Sequence, residues 1–137
     1  MDSDEKKLRH LEMIQAVISR MAQNSFTIKA WTVTLVAGLF ALAADKSDPV
    51  FVLITFVPVI AFWILDGYFL WQERLFRRLY DLTRKGVGNT DYSMDTNSVM
   101  QEVHCWACAI ISNTLLIFYG VLIATLILIS MMTYNFC

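Results

Sequence analysis

Hydrophobic and polar positions along this chain fall into long blocks rather than short alternations. The apolar core of a bilayer, about 30 Å thick, takes roughly 20 helical residues to cross, and three blocks are long enough. The first covers 24–44 and holds one charge, Lys29, near its start. The second covers 49–71 and holds one, Asp66, near its end. The third lies within 98–133, and from Val103 to Cys137 no Asp, Glu, Lys or Arg occurs. At about 1.5 Å per residue the uncharged part of that third block reaches roughly 40 Å. It therefore tilts or projects at its start, whereas dividing it would leave two segments too short to span. The pattern predicts three crossings.

The polar flanks carry a helical period as well. Across 1–23, Leu8, Leu11, Ile14, Val17/Ile18 and Met21 recur every three or four residues, one apolar stripe on a helix. Asp2, Ser3 and Asp4 provide capping oxygens and negative charge at its positive end. Nothing between Met21 and Phe26 demands a break, so this helix is expected to run into the first span rather than lie on the membrane surface. Beyond the second span, Leu75, Phe76, Leu79, Tyr80 and Leu82 continue the period over 72–85. Glu73 with Arg77 and Asp81 with Lys85 are acid-before-base pairs at i, i+4. Gly86, Gly88, Asn89 and Thr90 should end that helix, leaving a loop over 86–97. The third helix is expected from near Ser98, with Glu102 as a capping-box-like partner in its first turns. The fold class is an all-α membrane protein in one domain, three transmembrane helices with helical cytoplasmic extensions.

Composition agrees with this and removes alternatives. Of 137 residues, 57% are hydrophobic and 17% charged, against roughly 45–50% and 25% in soluble domains. The mean hydropathy is +0.52. A disordered chain, a disulfide-stapled secreted domain and a nucleic-acid-binding tail are all excluded. The charges of the two flanking polar segments balance, four of each sign before residue 25 and five of each sign over 72–102. Lys6, Lys7, Arg9 and Arg20 precede the first span, five basic residues follow the second, and the link between them holds one, Lys46. By the positive-inside rule the N-terminus is cytoplasmic and the C-terminus is outside. The N-terminal stretch is amphipathic rather than a short apolar core with a cleavage site, so no secretory signal is expected.

Candidate chemistry begins with the intramembrane charges Lys29 and Asp66, since an ionisable residue in a span marks a functional position by default. Both lie roughly 22–25 Å from the outer end of their helices at 1.5 Å per residue. Antiparallel neighbours would hold them at one depth, as a gate or as a structural ion pair with Lys29 snorkelling. Ala30, Thr34 and Gly38 recur at i, i+4 and i+8, a small-residue row that allows close helix packing within or between subunits. Asn113, with Ser112, Thr114, Tyr119, Thr125 and Ser130, offers interhelical hydrogen bonds or a polar path in the third span. If that helix lines a pore, its apolar centre would gate by dewetting. Arg74, Arg77, Arg78, Arg84 and Lys85 form a basic cluster suited to anionic lipid, a phosphorylated ligand or an acidic partner.

His104, Cys105 and Cys108 form an H-C-x-x-C run. Zinc takes about four ligands, and only His10 and the distant Cys137 remain to complete a set. On a helix Cys105 and Cys108 share a face and read as small packing residues. No metal, cofactor or catalytic set is expected. Two histidines, without H-E-x-x-H or G-x-S-x-G, argue against an enzyme, and the absence of an inverted repeat or broken helix argues against a transporter.

Two stretches carry a resemblance: Met21-Ala-Gln-Asn-Ser-Phe-Thr-Ile-Lys-Ala-Trp-Thr-Val-Thr-Leu-Val36 and Leu65-Asp-Gly-Tyr-Phe-Leu-Trp-Gln-Glu-Arg-Leu-Phe-Arg-Arg-Leu-Tyr-Asp81. They are similar to a family of small bacterial inner-membrane proteins that resemble the transmembrane effectors found beside nucleotide-signalling antiphage systems. The match covers about half the chain, includes Asn24, Lys29, Trp31, Asp66, Gln72, Glu73, Arg74 and Tyr80, and leaves the third helix unmatched. The resemblance implies a bacterial inner-membrane location and membrane disruption on activation. The expected function is thus a homo-oligomeric effector that permeabilises or depolarises the membrane. Its stalk would receive a cytoplasmic signal molecule or a soluble defence protein. The alternative is a non-conducting anchor or scaffold whose stalk binds a soluble partner. Membrane lipid is a partner in either case, and no direct nucleic-acid binding is expected.

Overall fold

The computed structural model describes residues 3–46, 49–86 and 92–136, and the chain is an all-α membrane protein. Two long helices, α1 (Ser3–Lys46) and α2 (Pro49–Lys85), are followed by two short ones, α3 (Asn97–Met100) and α4 (Trp106–Ile110), and then by α5 (Asn113–Phe136). Among the described residues there is no strand. Three stretches are long and apolar enough to cross a membrane: Ser3–Leu42, Leu53–Lys85 and Asn113–Met132.

The lengths of α1 and α2 follow from an absence of stop signals. α1 begins at Ser3 with Asp4 and Glu5 in its first turn, and runs without interruption for 44 residues, about 66 Å at 1.5 Å per residue. α2 runs for 37 residues, with Pro58 inside it. Membrane helices tolerate an internal proline because neighbouring groups satisfy the freed carbonyl. Gly86 follows α2 with φ +69° and returns its N–H to Thr83 O at 3.2 Å. That left-handed position is one a glycine adopts without a Cβ penalty, which explains why the helix ends here. The antiparallel pair outreaches a bilayer, and its charged ends project together as a stalk. There Lys7 Nζ donates to Arg84 O at 3.3 Å, and Tyr92 OH to Ser3 O at 3.3 Å. Of the expected 86–97 loop, residues 87–91 lie outside the described residues; the stretch after them is set by short side-chain turns, Asp95 N–H to Ser93 Oγ and Asn97 N–H to Asp95 Oδ1.

The third expected helix differs. The segment 98–133 is not one helix: α3, α4 and α5 are separated at 101–105 and 111–112. Glu102 does not cap a helix but reaches across to Arg78 of α2 at 2.5 Å. Further on, the carbonyl of Ile110 accepts a hydrogen bond from Trp63 Nε1 at 3.1 Å, an acceptor that a continuous helix would have used internally. Ser112 then accepts the first bond of the new helix, from Leu116 N–H at 2.9 Å, at the position serine favours. α4 reaches α2 at Gly67, where an added Cβ would lie 2.5 Å from Ile110 Cγ1 and 3.2 Å from its Cα. Only a glycine permits this approach.

Two apolar clusters hold the chain together. In the stalk Ile14, Leu75, Leu79 and Val99 are buried, with Ile18, Trp71 and Met94 against them. In the spans Val59, Leu115, Tyr119 and Leu126 are buried, with Val36, Phe40 and Trp63 beside them. Outside that second cluster, large apolar side chains such as Phe26, Leu53, Val57, Ile117 and Val121 point outward. Such a surface suits hydrocarbon rather than water. Between α1 and α5 lies a groove of about 570 Å³, lined by Val33, Val36, Phe40, Phe118, Leu122 and Leu126.

Candidate functional site

Where the stalk meets the spans, three helices place four polar side chains against one another. Lys29 Nζ lies 2.5 Å from Asp66 Oδ2. One turn earlier on α1, Ser25 donates its hydroxyl to Asp66 Oδ1 and accepts from Lys29 Nζ at 2.8 Å. From α5, Tyr119 OH donates to Asp66 Oδ2 at 3.3 Å. The carboxylate of Asp66 is 0% exposed and the side chain of Lys29 20%. Lys29 Nζ also sits 5.9 Å from the centroid of the Phe118 ring, within cation–π range.

Each element supplies its donor through ordinary helical geometry. Ser25 and Lys29 share a face because they are four apart. The same row continues inward through Ile28 and Thr32, both buried, to Val36 and Phe40. Tyr119 reaches Asp66 because a helical side chain leans toward the N-terminus of its helix, here toward the stalk. Its ring is fixed by Trp63, stacked at 5.8 Å and 12°, and by Phe118 edge-on at 5.0 Å. Trp63 in turn is anchored by the bond to Ile110. A buried carboxylate is tolerable only when paired and hydrogen-bonded, and here both oxygens are occupied.

The structure thus brings Lys29 and Asp66 together, and adds Ser25 and Tyr119. Tyr119 was legible only as one of several polar residues in the third span, and Ser25 was not singled out. The signal for Ser25 was present in its i, i+4 relation to Lys29, but serine four before a lysine is too frequent to stand out.

Other expected positions fall elsewhere. Ala30, Thr34 and Gly38 do not pack within the chain: all are exposed, and an added Cβ at Gly38 would meet nothing within 4 Å. The inward row of α1 passes through Ile28, Thr32 and Val36. The small-residue row is offset from it by two residues, about 200° around a helix of 3.6 residues per turn. Thr34 bonds its own helix, Oγ1 to Ala30 O at 2.9 Å. Asn113 is exposed at the start of α5 and also takes no part in this packing. The basic cluster is divided. Arg77 pairs with Glu73 at 2.7 Å, Arg78 with Glu102 at 2.5 Å and Arg84 with Asp81 at 4.0 Å. Neither Arg74 nor Lys85 faces a carboxylate within salt-bridge range among the described residues. Three of the five cations are thus paired on the stalk surface.

Cys105, just before α4, and Cys108, within it, were expected as packing residues and are exposed. His10 is the reverse. It is 3% exposed, edge-on to Tyr92 at 5.6 Å. Comparison of the chain with protein-family models, with curated proteins and with solved structures finds no match.

Proposed function

We propose that this chain is a homo-oligomeric effector of the bacterial inner membrane that permeabilises or depolarises it, with the N-terminal stalk in the cytoplasm. The observation that carries the reading is the Ser25–Lys29–Asp66–Tyr119 cluster. It joins all three spanning helices around a buried ion pair, and an ionisable residue inside a span is a functional candidate by default. In this reading the cluster is a closed latch, and a stalk rearrangement that separates Lys29 from Asp66 exposes two charges along a path between helices. The outward small-residue row of α1 supplies a face for contact between copies. The antiphage setting rests on the resemblance of 21–36 and 65–81 to transmembrane effectors.

The test is dye leakage from liposomes, together with membrane potential in expressing cells. Lys29→Met and Asp66→Asn should leak at protein densities where the native chain is tight, and should arrest growth at lower expression. Tight liposomes and unaffected cells for both variants, with insertion verified, would contradict the reading.

A second reading is a non-conducting anchor or scaffold. One observation favours it: the stalk has its own packed core around Ile14, Leu75, Leu79 and Val99, a preformed platform for a soluble partner. A stoichiometric partner recovered with the intact protein, without conductance, would select it.

A further inference from the structure

We propose that Cys105 and Cys108 form a reversible dithiol/disulfide site, exchanged with low-molecular-weight disulfides at the membrane surface. The two sulfur atoms lie 3.2 Å apart, and both residues are exposed. The backbone accounts for this approach. Cys105 precedes α4 with φ −56° and ψ 157°, and its carbonyl accepts the Cys108 N–H at 2.9 Å. A single turn thus presents both side chains on one side. The turn is held at both ends: Glu102 is tied to Arg78 before it, and Ile110 to Trp63 after it. Residues three apart on one turn also suit the short Cα separation that a disulfide requires.

The two thiols are not equivalent. The hydrogen bond from Cys108 holds the Cys105 thiol below the usual cysteine range, and the same contact pushes Cys108 up. Arg74 acts in the opposite direction on Cys108, favouring its thiolate. Cys105 is accordingly the attacking sulfur. Its thiolate attacks one sulfur of a small disulfide such as oxidised glutathione, breaks that S–S bond and releases one thiolate. Cys108, deprotonated, then attacks Cys105 Sγ in the mixed disulfide and releases the second. The protein loses two electrons and two protons, and the small disulfide becomes two thiols.

This inference stands apart from the permeabilising function, and its test needs no activity. The full-length chain with Cys137→Ser, in lipid nanodiscs, is equilibrated over a series of glutathione ratios, trapped with N-ethylmaleimide and weighed intact. The expected result is one transition in which both cysteines escape alkylation together, in a chain without glutathione attached. Excess reduced glutathione should reverse it. In the same background Cys108→Ser should stop as a glutathione adduct on Cys105, and Cys105→Ser should form its adduct more slowly. Two alkylatable thiols throughout the series would overturn the proposal. So would a disulfide between chains in place of the one within.

Discussion

The stalk and the spans of this protein bury similar kinds of side chain for different physical reasons. In the stalk, Ile14, Leu75, Leu79 and Val99 leave water when they pack, so burial itself drives association at roughly 25 cal/mol per Å². In the spans, Val59, Leu115 and Leu126 exchange lipid for protein, and hydrocarbon is as apolar as leucine. Little separates one packed arrangement from another there except shape and polar contacts. The Ser25–Lys29–Asp66–Tyr119 cluster lies where the distinction matters, fixing the rotation of α1, α2 and α5 against one another. The comparison teaches that in the membrane half a few polar atoms select the structure, whereas in the stalk an apolar stripe does.

The largest effect should come from breaking the polar side of this comparison. Asp66→Leu leaves Lys29 as an unpaired charge, and removing one member of a buried pair costs about 3–5 kcal/mol. Unfolding of the reconstituted protein in mixed micelles, followed by helical content, should show that loss. Leu75→Ala should come next, at about 2–5 kcal/mol, since it combines lost transfer energy with a cavity. Leu126→Ala, made at a site buried as deeply, should cost less in the same assay, because lipid receives the exposed surface without penalty. Equal costs for the two leucines would undo the comparison.

Smaller effects sharpen it. Gly67→Ala places a Cβ against Ile110, and overpacking of this kind costs about 1–3 kcal/mol. It should push α4 away from α2 and lower stability by an amount within that range in the same unfolding assay. Tyr119→Phe removes one interhelical donor while keeping the stacked ring. Interhelical hydrogen bonds in membranes average about 0.6 kcal/mol and reach about 1.7, so the same unfolding assay should report a loss within that range.

Much of the architecture was written in the sequence, and the reasons are local. Apolar blocks of spanning length, an i, i+3/i+4 stripe through Leu8 to Met21 and the glycine after Lys85 are signals that a helix obeys wherever it packs. Lys29 and Asp66 could be set at one depth because each is the lone charge of its block. What was not legible depended on partners. The break of 98–133 coincides with contacts to Arg78, Trp63 and Gly67, all on another helix, and within 98–112 only Ser112, a residue type favoured at a helix start, hints at it. The facing of Ala30, Thr34 and Gly38 was ambiguous because α1 is apolar all round in its span, so the composition did not say which row meets α2. Tyr119 was one polar residue among several in α5 until Trp63 and Asp66 gave it a place.

The Lys29–Asp66 pair, rather than apolar burial, is expected to select the packing of the spans. A double-mutant cycle with Lys29→Met and Asp66→Leu tests it most directly, by unfolding free energy in one lipid–detergent mixture. Each single variant should be strongly destabilised, and the double variant should recover most of the loss, since no charge is then left unpaired. Additive losses in the double variant would contradict it.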